Sequence, residues 1–155
     1  MAIEKWVGGS LQGLTWGNAF STATLNSIAS GNAILSDLSL ANGSTLDIFA
    51  DLSIQLASAA FVAPNFIGVY LYPLNQDGST YGDGRFSASA AGPPFSTYYV
   101  GQIGLVVATQ AQNGTLRGIV IPPGTFKFVL YNQGGVALAA SGNVCLYRTY
   151  NRSVA

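Results

Sequence analysis

The sequence predicts an all-β fold, a single-domain two-sheet β-sandwich preceded by an extended N-terminal arm. Three observations lead there. Residues 45–57 alternate, with Leu46, Ile48, Ala50, Leu52, Ile54 and Leu56 on one parity and Thr45, Asp47, Phe49, Asp51, Ser53 and Gln55 on the other. That period of two marks a half-buried strand, because successive side chains point to opposite faces. Turn residues punctuate the apolar runs, as at Asn42-Gly43-Ser44, Pro122-Pro123-Gly124, Gln133-Gly134-Gly135 and Ser141-Gly142-Asn143. No stretch carries the 3.6-residue period of an amphipathic helix.

Taken in order, residues 1–20 form the arm and 21–155 the sandwich. The arm has no clean period. Gly8, Gly9, Gly13 and Gly17 loosen it, while Trp6, Trp16 and Phe20 make it adhesive. It is expected to dock, either on a partner or back on its own domain. Strands are expected near 22–29, 33–41, 45–57, 66–73, 98–109, 115–121, 126–132 and 143–150. If 33–41 and 45–57 form a hairpin, a three-residue loop sets Leu40 opposite Leu46, Leu38 opposite Ile48 and Ile34 opposite Leu52. Only that register gathers one apolar face, since a slip by one residue turns every side chain over. About eight strands suit a jelly roll or a related sandwich. The segment 74–97 is a long irregular excursion, and loops of that length inside a domain are usually functional. Tyr81, Arg85, Phe86 and Phe95 are its large contact groups.

Composition narrows the function. The chain has 155 residues, a length that fits one domain. Only 8% of residues are charged, about a third of the usual ~25%. Six basic and six acidic residues cancel. The cations Lys5, Arg85, Arg117, Lys127, Arg148 and Arg152 are dispersed, which argues against nucleic acid, whose phosphates call for a basic stripe. No window approaches the ~20 apolar residues of a membrane helix, and the N-terminus lacks the apolar core of a signal peptide. A neutral, poorly charged surface tends to associate, so assembly with partners or copies is expected.

Catalytic chemistry finds little support. The chain has no histidine, which excludes Ser-His-Asp and Cys-His arrangements. Cys145 is the single cysteine, read as a small buried hydrophobe on a late strand. Asp47 and Asp51 share a strand face about 13 Å apart, at about 3.3 Å per residue, too far for a glycosidase pair. They read as solvent-facing. The run from Asn75 to Gly84 has the alternating oxygens of a calcium loop, yet Thr80 stands at the glycine position and Phe86 at the closing acid. An Asx/Gly turn is the simpler reading, and neither metal nor cofactor is expected. Asn42-Gly-Ser, Asn113-Gly-Thr and Asn151-Arg-Ser match the glycosylation pattern but read as turns. Tyr70, Tyr72, Tyr98 and Tyr99 raise a different class, a carbohydrate-binding module in which tyrosines stack on sugar rings; lining a second sheet face is the plainer role.

The layout as a whole resembles the small jelly-roll decoration, or cement, proteins of tailed-phage heads. A short aromatic, glycine-containing arm precedes a low-charge domain rich in Ala, Ser, Gly and Thr. The late segment Ile119-Val-Ile-Pro-Pro-Gly-Thr-Phe-Lys-Phe-Val-Leu-Tyr-Asn looks like hairpins of phage virion proteins. The resemblance implies a non-enzymatic protein on the outer capsid surface of a virion. It would assemble as a homotrimer and clamp neighbouring copies of the major capsid protein. Trp6, Trp16 and Phe20 would then anchor the arm on capsid protein, and the loop from Tyr81 to Phe95 would meet capsid or a sister subunit. A tail, fibre or baseplate module is the alternative within the same class.

Overall fold

The computed structural model describes residues 4–8, 16–21, 23–63, 65–84 and 90–154. Eleven strands form two antiparallel sheets, and the helical content of the described residues is one 3-10 turn at Ser96–Tyr98. The strands are β1 (Glu4–Gly8), β2 (Gly17–Asn18), β3 (Asn32–Leu35), β4 (Leu40–Ala41), β5 (Phe49–Ala60), β6 (Phe66–Pro73), β7 (Ala90–Ala91), β8 (Tyr99–Gly104), β9 (Thr109–Val120), β10 (Thr125–Gln133) and β11 (Val144–Val154). One sheet runs β1-β11-β5-β9, with β2 also on β11. The other runs β7-β3-β10-β6-β8, with β4 also on β10.

That order is a jelly roll. Setting aside the two-residue β7 and counting β1/β2 and β3/β4 as one strand each leaves eight. The first pairs with the last (Glu4↔Val154), the second with the seventh (Ile34↔Leu130), the third with the sixth (Ser53↔Thr115) and the fourth with the fifth (Ile67↔Ile103). The fold class read from alternation and turns is therefore the observed one.

The core lies between the sheets. Ala50, Leu52, Ile54 and Leu56 of β5 point inward with Ile67, Val69 and Leu71 of β6, Phe126, Phe128 and Leu130 of β10, and Cys145 of β11. Gly114 explains a boundary that the sequence misplaces. Asn113-Gly114 reads as a turn between two strands, yet β9 continues through it. A Cβ on Gly114 would run into Ile103 of the opposite sheet, so the missing side chain permits close sheet contact. The chain turns instead at 105–108, and Asn113 and Asn151 lie in strands, not turns.

Two further expectations are corrected. Of the strand expected at 22–29, the described residues 23–29 form none: 23–27 are turns, with Ser27 at φ 59°. Leu25 and Ile28 are still buried, and the carbonyls of both accept from the amides of Asn143 and Asn132. Those two buried asparagines replace the missing ladder. The hairpin between 33–41 and 45–57 does not form either, because β3 and β4 pair with β10 while β5 lies in the other sheet. Residues 42–48 cross between sheets. The Asn42 amide group donates to the carbonyls of Asp47 and Pro122, and its oxygen accepts from the Asp47 N–H and the Thr45 hydroxyl.

Connections between sheets collect at the two ends. Loops 61–65, 105–108 and 134–143 meet the 19–31 segment at one end, as shown by Leu105 N–H to Asn65 O and Leu138 N–H to Ile28 O. Loops 42–48 and 121–124 and the start of the 74–98 excursion meet at the other, through Ile121 N–H to Ile48 O and Leu74 N–H to Thr125 O.

Candidate docking surfaces

The first twenty residues return to their own domain wherever they are described. β1 pairs with residues 150–154 and places Trp6 opposite Arg152; β2 pairs with Leu146 and Tyr147. Trp16 is half-buried, with the Arg148 guanidinium 4.6 Å from its ring centroid, a cation–π contact. Phe20 is 2% exposed and belongs to the main core. This corrects its expected role as a partner anchor, because the side chain fills the space between the sheets. Gly17 shows why the segment can lie so close, since a Cβ there would touch the ring of Tyr147 at 3.4 Å.

The described residues of the 74–97 excursion, 74–84 and 90–97, pack on the outer face of the six-stranded sheet. Ala33, Leu35, Tyr70, Tyr72 and Val129 form a second apolar cluster on that face, with Tyr81, Ala90, Tyr98 and Tyr131 packed against it. Tyr72 is fully buried, its ring 4.6 Å from that of Tyr98 and its hydroxyl 3.3 Å from Asp83. Gly82, at φ +55°, lays its backbone directly on the Tyr72 ring, where a Cβ would collide. Tyr81 lies under the Lys127 ammonium, 4.9 Å from its ring centroid. Among the residues expected to make contacts, Phe95 is exposed, whereas Arg85 and Phe86 lie outside the described residues. Tyr70 and Tyr72 are covered and line a second sheet face, whereas Tyr99 is exposed, with its ring 5.3 Å from that of Tyr70.

The turn at Asn75–Gly84 uses its oxygens internally. The Asp77 carboxylate accepts from the N–H groups of Ser79 and Thr80 and from the Thr80 hydroxyl. The Thr80 hydroxyl, the Thr80 N–H and the Ser79 N–H lower the Asp77 pKa to about 2. This is an Asx turn.

Asp47 and Asp51 are not solvent-facing. Asp51 is 2% exposed on the outer face of the five-stranded sheet. Its Oδ2 accepts from Arg148 Nε at 3.0 Å and Nη2 at 2.8 Å, and its Oδ1 from the Tyr150 hydroxyl at 2.9 Å and the Gly118 N–H at 3.0 Å. A bulge sets this up. Arg117 and Gly118 together oppose Asp51, and Gly118, at φ 68°, aims its N–H at the carboxylate. Burial alone would raise the Asp51 pKa, but Gly118, Arg148 and Tyr150 outweigh it and hold the group below the usual carboxylate range. Asp47 is also buried; its Oδ1 accepts from the Asn151 amide, and its Oδ2 has no hydrogen-bond partner.

These shifts set the pH dependence of stability. Asp37, Asp51 and Asp77 have lowered pKa values in the fold. Their contribution is present above the unfolded value of about 4 and is lost as pH falls from there toward about 2. Tyr70, Tyr72 and Tyr150 are raised, chiefly by burial. Their contribution is present below about pH 10 and lost above it. The buried Cys145 thiol is raised as well, and its contribution is lost from its unfolded value of about 8.5 upward. Without histidine, the urea midpoint is therefore expected to stay level from about pH 5 to 8 and to fall on both sides. A step near pH 6.5, about where an ordinary histidine titrates, would contradict this.

The surface groups that sequence reasoning missed sit at the ends of the sandwich. Leu46 and Ile48 belong to the apolar parity of 45–57 and were expected in the core. They are 57% and 50% exposed, and Leu46 sits at φ 49°, a region that non-glycine residues seldom adopt. The strand begins at Phe49, so the alternating pattern extends past the structure it describes. Val120, 66% exposed, lies one residue before Ile121, whose N–H donates to Ile48. At the opposite end Val62, Val106 and Val107 are exposed. Leu105-Val106-Val107 carried one usable signal, in that three adjacent apolar residues on a connection cannot all point inward. The described residues contain no group of three or more His, Cys, Asp or Glu side chains placed to hold a metal. Burial raises the pKa of the Cys145 thiol, so it is held as a neutral side chain within the core. Comparison with known proteins finds no family model, curated protein or solved structure that this chain matches.

Proposed function

We propose that this chain is a structural protein of a virus particle, a decoration protein that binds the outer surface of a phage head and bridges neighbouring major capsid subunits. The observation that carries the reading is the placement of exposed apolar groups at both ends of the sandwich. Leu46, Ile48 and Val120 form one tip, and Val62, Val106 and Val107 the other. A bridging element needs two separate contact surfaces, and a jelly roll with apolar loops at each end supplies them. The near absence of charge fits a surface that is covered in use, because interface cores are depleted in charged residues. Several copies held on one lattice bind multivalently, so modest contacts at each tip give high avidity. The resemblance of the sequence to phage cement proteins supports the choice of partner.

In this reading the anchors are the loop tips and Phe95, not Phe20. Co-sedimentation with expanded phage heads tests it. Leu46→Asp with Ile48→Asp is expected to weaken binding by about tenfold or more, since each loses an apolar contact of about 1.5–3 kcal/mol. The Tm should change little, because both side chains are already exposed. Binding that is undiminished by these two charges, or absent in the unmodified chain, would refute the proposal.

A further inference from the structure

We infer that β9 is a seam along which two copies of this chain join edge to edge. The inference concerns contact between copies and stands whether or not the partner of the assembly is a capsid. β9 is the last strand of its sheet, paired on one side with β5 and, among the described residues, with no strand on the other. It is twelve residues long, and Thr109, Gln110, Ala111, Asn113, Thr115, Arg117, Gly118 and Val120 are exposed along it. An edge of that kind presents a row of free backbone N–H and C=O groups, and natural proteins usually blunt it with charges, proline, a bulge or a cover.

The other edges are blunted. β1 and β2, the edge strands on β11, are five and two residues long, β7 is two residues long, and β8 is six residues with a register break at Val69/Tyr70. β9 has one charge, Arg117, and its pairing with β5 is irregular at two places, beside Gly118 and opposite Ala111. Residues 112–116 between them form a regular, unguarded stretch. Across the sandwich β8 packs closely on β9, with Gly101 against Leu116 and Ile103 against Gly114, which holds the edge strand in place.

The chemistry of the strand favours a second copy as the occupant. A chain of zero net charge does not repel itself at long range. A two-fold axis perpendicular to the sheet keeps each face on its own side, so residues meet partners of their own parity. The outward row is Asn113, Thr115 and Arg117, set by the Thr115 hydroxyl on Ser53 of β5 at 3.1 Å. Pairing centred on Thr115 places Arg117 opposite Asn113 of the second copy, and pairing centred on Asn113 places it opposite Thr109. Both keep the two arginines apart. Asn and Thr both donate and accept hydrogen bonds, so the row complements itself.

Native mass spectrometry and sedimentation velocity of the full chain, from low to high micromolar concentration, test this together with amide exchange. Species with even copy numbers are expected, and β9 amides should exchange more slowly as concentration rises. Asn113→Lys should raise the dissociation constant by about tenfold or more in either register, because the new charge faces Arg117 or its own copy across the seam, and Thr115→Lys should do so in the register centred on Thr115. Asn113→Lys carries the test if loss of the Thr115–Ser53 hydrogen bond unfolds the other variant. A monomer at every concentration would overturn the inference. So would an oligomer, a trimer included, whose mass ignores Asn113→Lys and whose β9 amides exchange at one rate throughout. Loss of capsid binding with β9 pairing intact would instead count against the function proposed above.

Discussion

Removing residues 1–20 is expected to lower the Tm by at least about 10 °C, rather than release an independent arm. The segment contributes β1 and β2 to the five-stranded sheet and carries Phe20 into the core. Truncating a buried phenylalanine to alanine costs about 3–5 kcal/mol, and a domain of this size loses about 2–4 °C per kcal/mol. Deletion also leaves one side of β11 without its ladder along residues 146–147 and 150–154. Total stabilities run to about 5–15 kcal/mol, so the truncated chain should be partly or wholly unfolded at body temperature. Circular dichroism melting of the truncated and full chains measures it, with Phe20→Ala reporting the core component alone. An unchanged Tm for the truncated chain would show the segment to be separable. If the Tm falls as expected, a binding defect on such a deletion would reflect unfolding, so point substitutions at the loop tips are the sounder probe of the proposed role.

The second large effect is expected at Asp51. Asp51→Ala should destabilise the fold by about 3 kcal/mol, toward the low end for a broken buried ion pair. Arg148 keeps 18% of its side-chain surface in solvent, which softens the loss. The Tyr150 hydroxyl and the Gly118 N–H lose their acceptor as well. Asp51→Asn should cost less, since the amide oxygen can still accept from one of them. A double-mutant cycle with Arg148→Met isolates the pair, and urea denaturation should return a coupling of about 1–2 kcal/mol. A coupling near zero would mean that Arg148 is held by Trp16 and solvent instead, and that Asp51 serves only to fasten the bulge.

How much of this was legible beforehand depended on the range of each signal. The two-sheet class came from alternation and turn residues, which are local, and the 50–56 row of β5 points where its parity says. Asp47 and Asp51 went wrong because parity reports which side of the sheet a residue faces, not what lies on that side. Asp51 faces outward and is buried there by Arg148 and Tyr150, nearly a hundred residues away in the chain. The hairpin failed for a related reason, in that Asn42 ties a crossover whose partners include Pro122. Phe20 gave no sign of its destination, because an aromatic after a glycine-rich run reads the same whether it meets a partner or its own core. Leu46 and Ile48 were hidden by their own pattern, which runs past the end of the strand.

The pairing of the first strand with the last has a consequence for how the chain folds. β11 is the central strand between β1 and β5, and it follows the other described strands in the chain. Until it is in place, one edge of β5 lacks its partner, and β1 and β2 have nothing to pair with. The sheet can therefore close only through contacts such as Glu4 with Val154, which are distant in sequence. Topologies dominated by such distant pairings fold slowly, in milliseconds to seconds, and their unpaired edges are exposed to aggregation meanwhile. The C-terminal strand thus sets the folding rate of the whole domain, and slow refolding with little early protection in β5 and β11 is the kinetic signature that this topology imposes.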